Sequence, residues 1–186
     1  MATKIVILNG AGSSGKSSIA REMQSLLTEP YLHVQMDTFL EMMPERYQDH
    51  PDGFSYATEI EDGNPSVVIR SGETGERTLR GMRYAVAALA SQGNNLIVDD
   101  VMLEGEASEY AELLSAHDCY FVGVITELAI LERREKARGN RMIGLARWQV
   151  DRVHAGNDYH LTVDTNDASP KECAVKIISQ LNLEEA

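Results

Sequence analysis

The chain has 186 residues, room for one domain or two cramped ones, with 43% apolar and 25% charged residues. That is an ordinary globular balance, and it excludes wholesale disorder. Its 17 basic against 29 acidic residues leave a formal net charge of −12, which argues against nonspecific binding to nucleic acid or to an anionic membrane, since phosphate-rich partners select basic faces.

The apolar opening run, 5–8, is too short for the core of a signal peptide, and Asn9-Gly10 breaks it. No stretch approaches the ~18 apolar residues of a membrane span. The expected compartment is therefore the cytoplasm. Cys119 and Cys173 belong to no CxxC pair or zinc-spaced cluster and read as buried thiols, and the histidines are scattered without an HExxH.

In chain order, residues 4–8 read as a buried strand and 15–27 as a helix, with Ile19, Met23, Leu26 and Leu27 on one face. A strand at 31–36 ends at Asp37, and a short helix at 38–43 stops at Pro44. The pattern loosens over 44–72, where 54–60 and 66–70 flank Asp62-Gly63-Asn64-Pro65 as a small hairpin. Helix 73–91, strand 94–99, helix 106–116, strand 119–125 and helix 127–137 follow. A basic, glycine-containing segment leads into a helix at 142–154, then strand 160–164. A last helix carries Ala174, Ile177, Ile178 and Leu181 on one face. Five strands alternating with helices predict a five-stranded parallel sheet covered on both faces, in one domain with an excursion at 44–72.

Directly after the first strand stands Gly10-Ala11-Gly12-Ser13-Ser14-Gly15-Lys16-Ser17, a full match to GxxxxGK[ST], with Ser18 next. Glycines let successive N–H groups turn into one concavity, and the following helix adds the positive end of its dipole. Lys16 would reach the β- and γ-phosphates of ATP, and the Ser17 hydroxyl would ligate Mg²⁺.

The strand 94–99 runs into Asp99-Asp100, and either carboxylate could hold Mg²⁺ or simply end the strand. Residues 133–141 carry five basic side chains and one acidic in an otherwise acidic chain. Arg138 and Arg141 flank Gly139, which favours a hinged lid over a solvated helix end; guanidinium groups there would neutralise charge on a transferring phosphoryl group. Ser169-Pro170 opens the last helix as cap and first position, and Thr165, Ala168 and Pro170 are candidates to meet a nucleotide base.

On the acceptor side, Asp37 follows the second strand, where the crevice of a parallel sheet opens. It either takes the proton from an attacking hydroxyl or caps the helix. Residues 44–76 hold eight acidic side chains against two arginines, which suits a neutral or cationic acceptor. Arg77, Arg80 and Arg83, at i, i+3 spacing, either clamp an anionic acceptor or lie on a wet helix face.

The chain resembles the chloramphenicol phosphotransferase-like proteins, a P-loop kinase family. The resemblance runs over most of its length. It rests on Ile7-Leu8-Asn9-Gly10, Gly15-Lys16-Ser17, Asp37 before a helix ending in Met43-Pro44, and Asp99-Asp100-Val101. Further along it rests on Arg134-Glu135, Ala137-Arg138-Gly139, Arg141, Val153-His154, Val163-Asp164-Thr165 and Glu172-Cys173-Ala174. It implies a nucleoside-monophosphate-kinase-like fold and ATP- and Mg²⁺-dependent transfer of the γ-phosphoryl group to a primary hydroxyl, such as the 3-hydroxyl of chloramphenicol. It further implies that Asp37 is the base and that Arg134 and Arg138 are lid residues meeting the phosphates. Residues 48–80 depart in length and charge from the antibiotic-modifying member, so kinase chemistry is the safer expectation than chloramphenicol itself.

The resulting expectation is a kinase with ATP on residues 10–18, Mg²⁺ on Ser17 and Asp99, and a small hydroxylated acceptor beside Asp37. The oligomeric state, a homo-oligomer included, stays open. Two rivals remain: a kinase of a phosphorylated metabolite, of nucleotide or adenylylsulfate type, and a non-catalytic NTP-binding switch.

Overall fold

The computed structural model describes residues 3–103, 105–139 and 142–184. Its first strand, β1 (Lys4–Asn9), is buried on both sides, as an uninterrupted apolar run requires. Helix α1 (Lys16–Leu26) leads to β2 (Tyr31–Gln35), then α2 (Met36–Glu41), the hairpin strands β3 (Phe54–Glu61) and β4 (Asn64–Ser71), and α3 (Glu73–Ser91). There follow β5 (Asn95–Asp100), α4 (Glu106–Leu113), β6 (Asp118–Ile125), α5 (Leu128–Arg138), α6 (Leu145–Gln149), β7 (Leu161–Asp164) and α7 (Pro170–Gln180). The main sheet is five-stranded and parallel, in the order β2-β5-β1-β6-β7.

The two-residue period of β1 divides its side chains between two cores. Val6 and Leu8 pack with Ile19 and Met23 of α1 and with Ile177 and Ile178 of α7. Ile5 and Ile7 pack on the other face with Met82 and Val86 of α3 and with Tyr110 and Leu114. Each such side chain, fully withdrawn from water, contributes about 1.5–3 kcal/mol. Because β1 is central and its neighbours are parallel to it, the loops after β1, β2, β5 and β7 all open at one edge.

Three elements differ from the sequence reading. Helix α2 starts at Met36 directly from the strand, with Gln35 in the cap position, so Asp37 lies in the first turn and is not the cap. The hairpin is longer than expected and turns through Asp62 and Gly63, at φ 50° and 75°, the paired left-handed conformation that suits a two-residue connection.

The helix expected over 142–154 is two pieces, α6 and a 3₁₀ turn, Arg152–His154. The Trp148 carbonyl accepts from the Arg152 guanidinium at 2.7 Å. The Val153 carbonyl accepts from Asn9 and Asn157, and Val153 itself is fully buried. Side-chain donors and burial thus outcompete a regular helical ladder here.

The hairpin is anchored to α6. The Val67 N–H donates to the Gly144 carbonyl at 2.9 Å. Gly144 has φ 100°, and a Cβ there would lie 2.4 Å from the Pro65 carbonyl oxygen, so glycine is required where the two backbones meet. Glu135 of α5, 2% exposed, accepts from the Gly144 and Ala146 N–H groups at 2.8 and 2.9 Å and thereby caps α6.

Candidate phosphate-binding site

The loop between β1 and α1 turns through two left-handed residues, Ser13 at φ 66° and Gly15 at φ 98°. Gly10 is held tightly: a Cβ there would approach the Val124 carbonyl oxygen to 2.6 Å. Residues 12–18 line a cavity of about 660 Å³, while Gly10 and Ala11 stand behind its wall. The Lys16 ammonium, 6% exposed, donates to the Gly10 and Ala11 carbonyls at 2.7 and 3.1 Å, so the first two loop residues hold the lysine and the later ones face the cavity.

The adjacent carboxylates at the end of β5 face opposite sides of the sheet, as strand geometry demands. Asp99 points toward the loop. Its Oδ2 accepts from the Ser17 hydroxyl at 2.5 Å, its Oδ1 is 3.8 Å from Lys16 Nζ, and His33 Nε2 lies 3.7 Å from Oδ2. Burial pushes the Asp99 carboxyl up, but the Lys16 charge, with His33 and the Ser17 hydroxyl, more than offsets this and holds it below the ordinary carboxylate range. Asp100 is buried on the other face, accepting from the Tyr110 hydroxyl at 2.8 Å and the Val101 N–H at 2.7 Å. There burial dominates and pushes its pKa up. Ser17 and Asp99 are therefore the pair of hard oxygen donors at the loop, a chemistry that fits Mg²⁺, and Asp100 is part of the core.

Arg134 of α5 straps the loop to the strand end beyond it. Its guanidinium donates to the Thr165 carbonyl at 2.6 Å, to Thr165 Oγ1 at 3.1 Å and, at the limit of hydrogen-bond reach, to the Ser14 carbonyl at 3.5 Å. Thr165 Oγ1 also donates to the Ser14 carbonyl at 3.0 Å and lies 2.6 Å from Thr126 Oγ1. Arg134, Arg138, Thr165, Ala168 and Pro170 all line the cavity. Pro170 opens α7 behind a full capping box of Ser169 and Glu172. Arg138 occupies the last turn of α5 before Gly139, at φ 67°. Arg141, expected at the same lid, lies outside the described residues.

Asp37, Met36 and Leu40 of α2 also line the cavity, with Tyr56 and Ile69 of the hairpin and Leu145 of α6. The structure thus brings Lys16, Ser17, Asp37, Asp99, Arg134, Arg138, Thr165 and Pro170 around one cavity. The arginine trio of α3 is elsewhere. Arg80 and Arg83 pair with Glu109 of α4 and Arg77 with Glu73, and none of the three lines the cavity.

Two residues that support the loop, Asn9 and Gln149, were given no role from sequence. Asn9 accepts from the Met102 N–H at 2.8 Å and donates to the Val153 carbonyl at 2.7 Å and the Tyr159 hydroxyl at 2.8 Å, tying the strand end to its surroundings. Its position immediately before the loop was the available signal. Gln149 accepts from the Gly12 N–H at 2.7 Å across 137 positions of chain, and local sequence carries no signal of that.

The family model for chloramphenicol phosphotransferase-like protein matches residues 3–182. A Mycobacterium tuberculosis protein with the provisional name of O-phosphotransferase is 28% identical over 177 residues, 92% of this chain and 79% of that one. Among solved structures, a sugar kinase from Janibacter sp. HTCC2649 has a TM-score of 0.66 at 16% identity, covering 97% of this chain and 95% of its own. The Mycobacterium tuberculosis APS kinase, in complex with AMPPNP and APS, has a TM-score of 0.65 at 19% identity, covering 97% and 98%. Likeness at that identity carries the P-loop kinase fold and nothing about the substrate. With a P-loop over residues 10–17 on a five-stranded parallel sheet and a family match spanning nearly all of its length, the chain belongs to the chloramphenicol phosphotransferase-like family.

Proposed function

We propose that the protein transfers the γ-phosphoryl group of ATP to a hydroxyl of a small acceptor held between Asp37 and the hairpin. Membership of its family makes the chain a phosphotransferase. The observation that carries the finer reading is that one cavity is lined both by the phosphate loop, with Lys16 and Ser17, and by Asp37.

The roles follow from chemistry. The loop amides and Lys16 bind and orient the phosphates, and Arg134 and Arg138 offset charge as it develops on the transferred group. Ser17 and Asp99 would hold Mg²⁺, which supplies charge neutralisation between the phosphates. Asp37 accepts the proton of the attacking hydroxyl; it lies in the first turn of α2, with Gln35 in the cap position. Ala168 and Pro170 border the side of the cavity where a nucleotide base would rest.

The acceptor side, with Met36, Leu40, Tyr56 and Ile69, offers apolar surface, and among the described residues the arginines bordering the cavity are Arg21, Arg134 and Arg138. With Arg77, Arg80 and Arg83 paired away from the cavity, a neutral acceptor is favoured over a phosphorylated metabolite. A panel of hydroxylated antibiotics and metabolites, chloramphenicol included, incubated with ATP and Mg²⁺ and read by ³¹P resonance, tests this. A phosphate ester of a neutral alcohol supports the reading. Product only from anionic acceptors, or ATP consumption that no acceptor stimulates, contradicts it.

A further inference from the structure

Gln149 ends α6, is 4% exposed and lines the same cavity as the phosphate loop. Its Oε1 accepts from the Gly12 N–H at 2.7 Å, and a Cβ added to Gly12 would lie 3.1 Å from that oxygen, so the carboxamide rests directly on the loop backbone. Gly12 is the first loop residue whose backbone faces the cavity. An N–H serves one strong acceptor well, so a phosphate oxygen reaching Gly12 and the Gln149 carboxamide compete for the same hydrogen.

The carboxamide is carried by a helix fixed at its other end. Glu135 holds the Gly144 and Ala146 N–H groups, and the Gly144 carbonyl holds Val67 of the hairpin that walls the acceptor side. These contacts sit at the start of the five-residue helix that ends at Gln149.

We propose that Gln149 is a positioning residue of the phosphate loop: it holds the Gly12 amide in place and yields it to a phosphate oxygen of the nucleotide. The proposal rests on the assignment of the loop as the nucleotide site. Two substitutions move binding in opposite directions. Gln149→Ala removes the competitor and tightens nucleotide binding, by about threefold or more for one neutral hydrogen bond. Gln149→Glu keeps an acceptor of the same reach but sets a negative charge beside the phosphates, and weakens binding by about tenfold or more. A residue needed only for folding would weaken binding in both variants.

Trp148, the single tryptophan, precedes Gln149 and has the Arg152 guanidinium 5.1 Å from its ring centroid, so its emission reports displacement of α6. The test is calorimetric titration of the full chain and both variants with the Mg²⁺ complex of a non-hydrolysable ATP analogue, with Trp148 emission followed in parallel. Tighter binding by Gln149→Ala, weaker binding by Gln149→Glu and a wild-type emission change are expected. Equal or weaker binding by Gln149→Ala, or wild-type binding with no change at Trp148, overturns the proposal. If Gln149→Ala does not fold, Gln149→Leu, which keeps more of the volume and lacks the carboxamide oxygen, takes its place with the same expected tightening and the same contradicting result. Absence of calorimetric binding by the wild type overturns the site assignment beneath it, a distinct result.

Discussion

Ser17 and Asp99, 82 positions apart in the chain, meet in a hydrogen bond of 2.5 Å where α1 begins and β5 ends. Lys16 stands 3.8 Å from the same carboxylate. The helix start proposed to bind phosphate and the strand end proposed to bind metal are thereby held together, which would lower the reorganisation required for catalysis.

Lys16→Ala removes the ammonium that spans the Gly10 and Ala11 carbonyls and Asp99. Transfer should be abolished with the fold retained. Circular dichroism together with a coupled ADP assay checks this, and near-normal turnover in a folded variant contradicts the site.

Asp37→Asn should bind ATP as the wild type does and lose about 10²-fold or more in turnover, the range of a lost general base. Single-turnover measurement with a competent acceptor separates binding from chemistry. An unchanged rate would reduce Asp37 to a wall residue.

The two carboxylates of β5 should respond differently. Asp99→Asn should raise the Mg²⁺ concentration needed for half-maximal turnover, with a small effect on stability. Asp100→Asn disturbs the buried contacts with the Tyr110 hydroxyl and the Val101 N–H and should cost about 1–3 kcal/mol in urea unfolding, with Mg²⁺ dependence unchanged. Reversal of these phenotypes would contradict the assignment.

Glu135→Ala leaves the buried N–H groups of Gly144 and Ala146 without their acceptor. Each such loss costs about 1–3 kcal/mol, and the hairpin anchored at Gly144 should loosen with it. Faster hydrogen exchange at Val67, whose N–H bonds Gly144, is the expected readout.

Burial, and then the Lys16 charge, push the His154 imidazole below its ordinary 6.5. Well above 6.5 both folded and unfolded forms are neutral. As pH falls through 6.5 the unfolded chain binds its proton first, so stability is lost down to the lower folded value. Urea unfolding at about pH 7.5 and about pH 5.5 should show a larger loss for the wild type than for His154→Gln. Equal losses would mean that His154 titrates alike in both states.

Strand and helix order was legible because buried parallel strands are plain apolar runs and the covering helices carry one apolar face. The phosphate loop was legible because its chemistry needs fixed residue types at fixed spacing. What stayed hidden depends on contacts distant in sequence. The facing of Asp99 against Asp100 is decided by which face of β5 meets Ser17. The break after α6 is decided by donors that divert the Trp148 and Val153 carbonyls. The pairing of Arg80 and Arg83 with Glu109 required α3 and α4 to pack side by side. Gln149 reaches Gly12 only through the folded sheet.

The most direct measurement is a crystal structure with a non-hydrolysable ATP analogue and Mg²⁺. The account predicts phosphates on the amides of residues 12–18, metal at the Ser17 hydroxyl beside Asp99, and the terminal phosphate facing Asp37. A triphosphate bound elsewhere, or a loop whose amides remain on protein acceptors with nucleotide present, would contradict it.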